Sequence, residues 1–140
     1  MHENFFDEVH AYEVLEHLGG MGDFKFFFAL WRKIWRALKP EGVVCATTPW
    51  WESVWAWQDP GHRRVYSPEI LTYLSQDQYE KQIGRTAMTD YRRFWPKPYD
   101  FELNTTPGKE SWRMTGEDPK RAGFLFILKK KGGEPIESPN

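Results

Sequence analysis

The chain has 140 residues, one domain's worth of length. Its 19 Lys and Arg balance 20 Asp and Glu to a formal net charge of -1. That balance excludes a purely electrostatic nucleic-acid binder and leaves other contacts with nucleic acid open. Hydrophobic residues make up 40% and charged residues 28%, which excludes a disordered chain. No apolar run approaches the roughly 20 residues that cross a bilayer, so no membrane role is expected. The start, Met1-His2-Glu3-Asn4, lacks the features of a secretory signal. The lone Cys45 permits no internal disulfide and fits a reducing, cytoplasmic setting. The unusual quantity is the aromatic fraction, 17% with 8 Trp.

Residues 5–11, aromatic and partly alternating, are expected to form a strand. His10 lies within it and reads as structural; His2 lies in the terminus. Glu13-Val14-Leu15-Glu16-His17-Leu18 reads as a turn or two of helix, stopped by Gly19-Gly20. Asp23 is a good N-cap for a helix over 23–38. Phe24, Phe27, Phe28, Trp31, Ile34, Trp35 and Leu38 recur there at the three-four spacing of a core-facing stripe. Lys39-Pro40-Glu41-Gly42 reads as a tight turn. Residues 43–48 read as a strand buried on both faces, with Cys45 an inert buried thiol. A crossover helix of this length makes the two strands parallel. Trp50 to Tyr66 reads as a long loop. Ser67-Pro68-Glu69 starts a helix that runs to about Leu74. Residues 75–90 are ambiguous, and 90–95 and 99–103 are candidate strand pieces. Residues 104–120 read as loop, and 123–129 as a last, antiparallel strand. Lys129, Lys130 and Lys131 read as its solvated end. The domain is expected to span 1–131, with 132–140 a disordered tail.

Two clusters carry chemistry. On a helix Glu13, Glu16 and His17 share one face, where two carboxylates and an imidazole suit a divalent cation. The alternative for His17 is a hydrogen bond to a nearby carboxylate or backbone group. Trp50, Trp51, Trp55 and Trp57 follow the second strand. With Arg63 and Arg64 close in sequence, they would suit a planar, anionic substrate such as a nucleotide or glycan. The alternative is that these rings close a small core.

Phe6-Asp7-Glu8-Val9-His10-Ala11-Tyr12-Glu13-Val14-Leu15-Glu16-His17-Leu18 resembles the fourth-strand motif of class I S-adenosylmethionine-dependent methyltransferases. Leu38-Lys39-Pro40-Glu41-Gly42 is similar to that family's turn before the fifth strand, with Glu41 in place of a glycine. Thr48-Pro49 also matches. Asp59-Pro60-Gly61-His62-Arg63-Arg64-Val65-Tyr66-Ser67-Pro68-Glu69 is similar to bacteriophage and bacterial members. The resemblance covers residues 5 to about 130 and only the family's C-terminal half. The Gly-rich loop that wraps the cofactor and the acid that binds its ribose have no counterpart. Gly19-Gly20-Met21-Gly22 follows a helix, whereas a cofactor loop follows a strand and opens a helix.

The resemblance implies a partial Rossmann-like α/β sheet, ordered first strand, second strand, last strand, with a piece of 90–103 at the edge. It implies S-adenosylmethionine as cofactor, with Ala11, Tyr12 and Glu13 facing its methionine end. In related metal-dependent members a Glu-x-x-Glu-His holds a metal completed by a later His. This makes Glu13, Glu16, His17 and His62 the candidate ligands, and Glu13 and His62 the candidate catalytic residues. The alternative for His62 is a cap or loop tie. Two expectations follow: the substrate-side half of a methyltransferase, inactive in isolation, or a non-catalytic remnant or binding module. In either case residues 5–11 would pair with a second copy or a separate N-terminal half.

Overall fold

The structure, a computed structural model, describes residues 3–133. Asp23 caps α1 (Phe24–Ala37), its carboxylate accepting from the Phe26 amide at 3.1 Å. The three-four spacing buries Phe27, Phe28, Trp31 and Trp35 along one side of the helix. Leu38 passes directly from α1 into β2 (Leu38–Pro49). The expected turn at residues 39–42 is instead a bulge inside this strand. Phe6 aligns with Leu38 but Glu8 with Val43, and Glu41 takes a φ of 65°. Gly42 is required there: a Cβ would lie 2.9 Å from the Lys39 carbonyl and 3.0 Å from that of Asp7.

β1 (Phe6–Tyr12) runs parallel to β2, as a crossover helix dictates. The last strand, β5 (Gly123–Lys130), lies antiparallel on the other side of β2. Beyond β5 come β3 (Phe101–Glu102) and β4 (Trp112–Thr115), both antiparallel to it. The mixed five-stranded sheet is ordered β1-β2-β5-β3, with β4 also on β5.

Several connections are more ordered than their composition implies. The 50–66 loop contains α2 (Val54–Gln58), capped by Ser53. Ser67 caps α3 (Pro68–Leu71), which continues as a 3-10 turn to Leu74. The ambiguous 75–90 stretch holds α4 (Gln76–Gln82), capped by Ser75. Residues 104–120 contain β4. Residues 90–95, a candidate strand, form turns instead. Trp95 is wholly buried there and donates from Nε1 to the Leu74 carbonyl at 3.1 Å, so the segment follows its ring rather than a strand partner.

The aromatic excess goes into the core. Trp31 is fully buried among Phe27, Tyr66, Phe101 and Phe126, and its Nε1 donates to the Tyr66 hydroxyl at 3.2 Å. Tyr66 stacks on Phe126, and Trp95 on Phe101. Burial pushes the Tyr66 phenol up to about 12.

This core lies on one side of the sheet. Val44, Ala46, Thr48, Phe124, Phe126 and Leu128 are buried, while the alternating Val43, Cys45, Thr47 and Leu125 are only half-buried and Ile127 is exposed. The reading of β2 as buried on both faces is therefore corrected, and Cys45 is not a core thiol. Its Sγ accepts from the Tyr12 hydroxyl at 3.9 Å.

The lysine run is also corrected at its centre. Lys130 is 1% exposed, donates to the Leu38 carbonyl at 2.7 Å and to Asn4 Oδ1 at 3.0 Å, and sits 3.9 Å over the Trp35 ring. Alternation along β5 turns it inward while Lys129 and Lys131 face out. Gly133 lies close against Trp35: a Cβ there would be 2.7 Å from the ring. The rest of the expected tail, 134–140, and His2 lie outside the described residues.

Candidate functional site

β1 ends at Tyr12, and Glu13 takes a left-handed φ of 55°. Its amide still donates to the Thr47 carbonyl at 2.9 Å, holding the strand end against β2. The chain then makes one 3-10 turn, Leu15–His17, in place of the expected helix. Leu15 is buried, which draws the neighbouring Glu16 inward to 2% exposure. Glu13, preceding the turn, is exposed, so the three residues do not share a helix face.

The fourth expected ligand arrives from the loop after α2. Asp59 Oδ1 accepts from the Gly61 amide at 2.7 Å and the Asp59 carbonyl from the His62 amide at 3.0 Å, forming a tight turn. The amides of Arg63 and Arg64 then both donate to the Glu16 carbonyl, at 2.8 and 3.1 Å. The Arg64 guanidinium donates to the carbonyls of Gly20 and Asp23. These bonds join the loop to the turn after β1.

The result is a cluster of Glu16, His17 and His62 at the carboxyl ends of β1 and β2, where open α/β sheets place ligands. One ligand atom from each residue lies within 4.8 Å of the others. The two imidazoles meet edge to face with centroids 4.8 Å apart. His17 Nδ1 lies 3.0 Å from the Gly61 carbonyl, an acceptor, so in the neutral imidazole this nitrogen carries the proton and Nε2 the lone pair. His62 Nε2 faces Asp59 Oδ2 at 3.6 Å, while its Nδ1 is buried with no hydrogen-bond partner. His17 therefore has the hydrogen-bonded outer support typical of a ligating histidine, and His62 has a carboxylate nearby without a hydrogen bond to it. Neither Glu16 carboxylate oxygen has a hydrogen-bond partner.

A buried, unpaired carboxylate is costly. Burial, then the neighbouring Glu13 carboxylate and the charge of Asp59, push the Glu16 carboxyl up to about 7. Glu13 is close enough to contribute, although it makes no hydrogen bond of standard geometry to Glu16. A divalent cation would take one oxygen of Glu16 and one ring nitrogen from each histidine. One oxygen and two imidazole donors suit Mn²⁺, Co²⁺ or Zn²⁺ better than Mg²⁺ or Ca²⁺.

The remaining candidates separate. Trp50 is 8% exposed and packs against Trp112 and Phe124, so its place is in the core. Trp51, Trp55 and Trp57 stay exposed around α2, where Trp57 Nε1 donates to the Trp51 carbonyl at 3.3 Å. Arg63 is exposed and engages the site only through its amide. Ala11 is half-buried against the core, and Tyr12 is 53% exposed with its hydroxyl engaged by His10 and Cys45. Asp59 and Gly61 belong to the site's support but were not singled out from sequence. The signal was the Asp-Pro-Gly turn directly before His62.

Comparison with protein families, curated proteins and solved structures finds no match. Among the described residues no helix is long and apolar enough to cross a membrane.

The residues do not fit S-adenosylmethionine as a ligand of this chain by itself. Ala11, Tyr12 and Glu13 lead into a 3-10 turn and not into a Gly-rich loop. They do fit a divalent cation, on the donor set and the orphaned Glu16 and His62 atoms.

Proposed function

We propose that the chain is the acceptor-side half of an S-adenosylmethionine-dependent methyltransferase. In this reading Glu16, His17 and His62 hold a divalent cation beside the methyl acceptor. The observation that carries it is the convergence of these three side chains at the carboxyl ends of two parallel strands, with an antiparallel last strand beside them. The resemblance of residues 5 to about 130 supplies the reaction class.

When bound, a cation there would lower the pKa of a hydroxyl acceptor. The chain's own residues do the rest. His17 is fixed by Gly61 and His62 is oriented by Asp59. Glu16 is buried, and the 59–64 loop is bonded to its backbone carbonyl. Methyl transfer from a sulfonium is an in-line displacement, so rigid placement of the acceptor is the main contribution of this half. The exposed Trp51, Trp55 and Trp57 offer flat surfaces on which a planar acceptor would stack. The cofactor contacts would come from a second folded segment.

The test is equilibrium binding of labelled S-adenosylmethionine, first to this chain and then to it joined with the polypeptide encoded directly upstream. Binding only to the joined protein, followed by Mn²⁺-dependent methyl transfer to a hydroxyl acceptor, supports the reading. No binding in either form removes it and leaves a non-catalytic module.

A further inference from the structure

β1 is an edge strand with an internal symmetry of charge and shape. The Glu13 amide donates toward β2, and backbone directions alternate along a strand. Thus the odd-numbered residues of β1 bond to β2, and the amides and carbonyls of Phe6, Glu8, His10 and Tyr12 point outward. Among the described residues no strand pairs with that edge. No proline or bulge of β1 itself protects it, and the Asp7 charge is already answered by Lys39 at 3.3 Å.

We infer that this chain caps the edge with a second copy of itself, by antiparallel strand addition about a two-fold axis at Val9. A two-fold axis normal to a continuous sheet must pass beside a residue, because directly opposed side chains share a face. At Glu8 the axis would oppose two carboxylates, and at His10 two imidazoles. At Val9 it places Glu8 opposite the partner's His10, and Phe6 opposite the partner's Tyr12. It also makes the outward-pointing residues the hydrogen-bonded pairs and leaves Val9 as the close, non-hydrogen-bonded pair. Glu8 and His10 are already in register on this face, 2.8 Å apart within one strand. Phe6 and Tyr12 are 42% and 53% exposed, and the pairing covers both. A groove of about 350 Å³, lined by Phe6, Glu8, Val9, Ile34 and Ala37, runs along the same edge and would be closed by the second strand.

The pairing does not depend on the methyltransferase reading. It is tested by light scattering and sedimentation at high micromolar concentration, with wild type, E8K and H10E. The wild type is expected to be a dimer. H10E opposes carboxylate to carboxylate twice, and E8K replaces both carboxylate–imidazole pairs with ammonium–imidazole ones; each is expected to weaken the dimer about tenfold or more. Mixing the two variants should restore it, since the introduced ammonium then faces the introduced carboxylate and His10 faces Glu8. No folding defect yields that recovery. A monomeric wild type overturns the inference and leaves the edge to a different folded segment. A dimer unaffected by both variants, or variants that fail to recombine, overturns it as well.

Discussion

His17 and His62 meet edge to face 4.8 Å apart, although they stand in different loops far apart in sequence. The contact exists because the Glu16 carbonyl accepts both the Arg63 and Arg64 amides. The backbone of one ligand thereby positions the loop that carries another.

Stability should fall with pH through Glu16. Its carboxyl is raised in the folded chain, so the folded state binds the proton more tightly than the unfolded state. The contribution is complete below the unfolded value of 4.5, is lost as pH rises to about 7, and is flat above. The loss amounts to about 3 kcal/mol. E16Q removes it, so thermal melts should show E16Q gaining on wild type between those values. Equal pH profiles would count against a buried, unpaired Glu16.

Mn²⁺ or Zn²⁺ should raise the melting temperature of the wild type above neutral pH. At a hundredfold excess over Kd the gain is about 2.7 kcal/mol. E16Q and H62A should abolish the shift, while E13Q should keep most of it because Glu13 lies outside the cluster. An E13Q variant as inert as E16Q would move the centre toward Glu13.

Gly61 gives a test of geometry without removing a ligand. A Cβ there would lie 3.2 Å from Asp59 Oδ1 and 3.5 Å from His17 Nδ1. G61A should weaken metal binding about tenfold, in the range of outer-support changes. Stability of the metal-free chain should change little. Calorimetric titration beside a thermal melt separates the two effects.

W31A should cost about 3–5 kcal/mol and leave little folded chain. K130M should cost about 1–3 kcal/mol, because the Leu38 carbonyl loses its 2.7 Å donor while the ring contact with Trp35 is retained in apolar form. Urea titration measures both. A neutral K130M would mean that burying the ammonium already offsets its hydrogen bonds; burial holds its pKa below the usual lysine range.

The sequence by itself determined the elements whose signals are local. Asp23 and the aromatic stripe define α1, and Ser67-Pro68 defines the start of α3. The length of the crossover makes β1 and β2 parallel. It also pointed to Glu16, His17 and His62, by residue type and by resemblance. Tertiary structure decided what depends on contacts between distant segments. Glu13 left the cluster because the chain turns left-handed after β1, which helical spacing does not anticipate. Trp50 went to the core and Trp57 to solvent within one loop, because only Trp50 has Trp112 and Phe124 to pack against. Lys130 was drawn inward by β5 alternation and by a carbonyl at the start of β2. The 59–64 loop closed over Glu16 through bonds to its backbone carbonyl, an acceptor that every residue carries and that no side-chain pattern reveals.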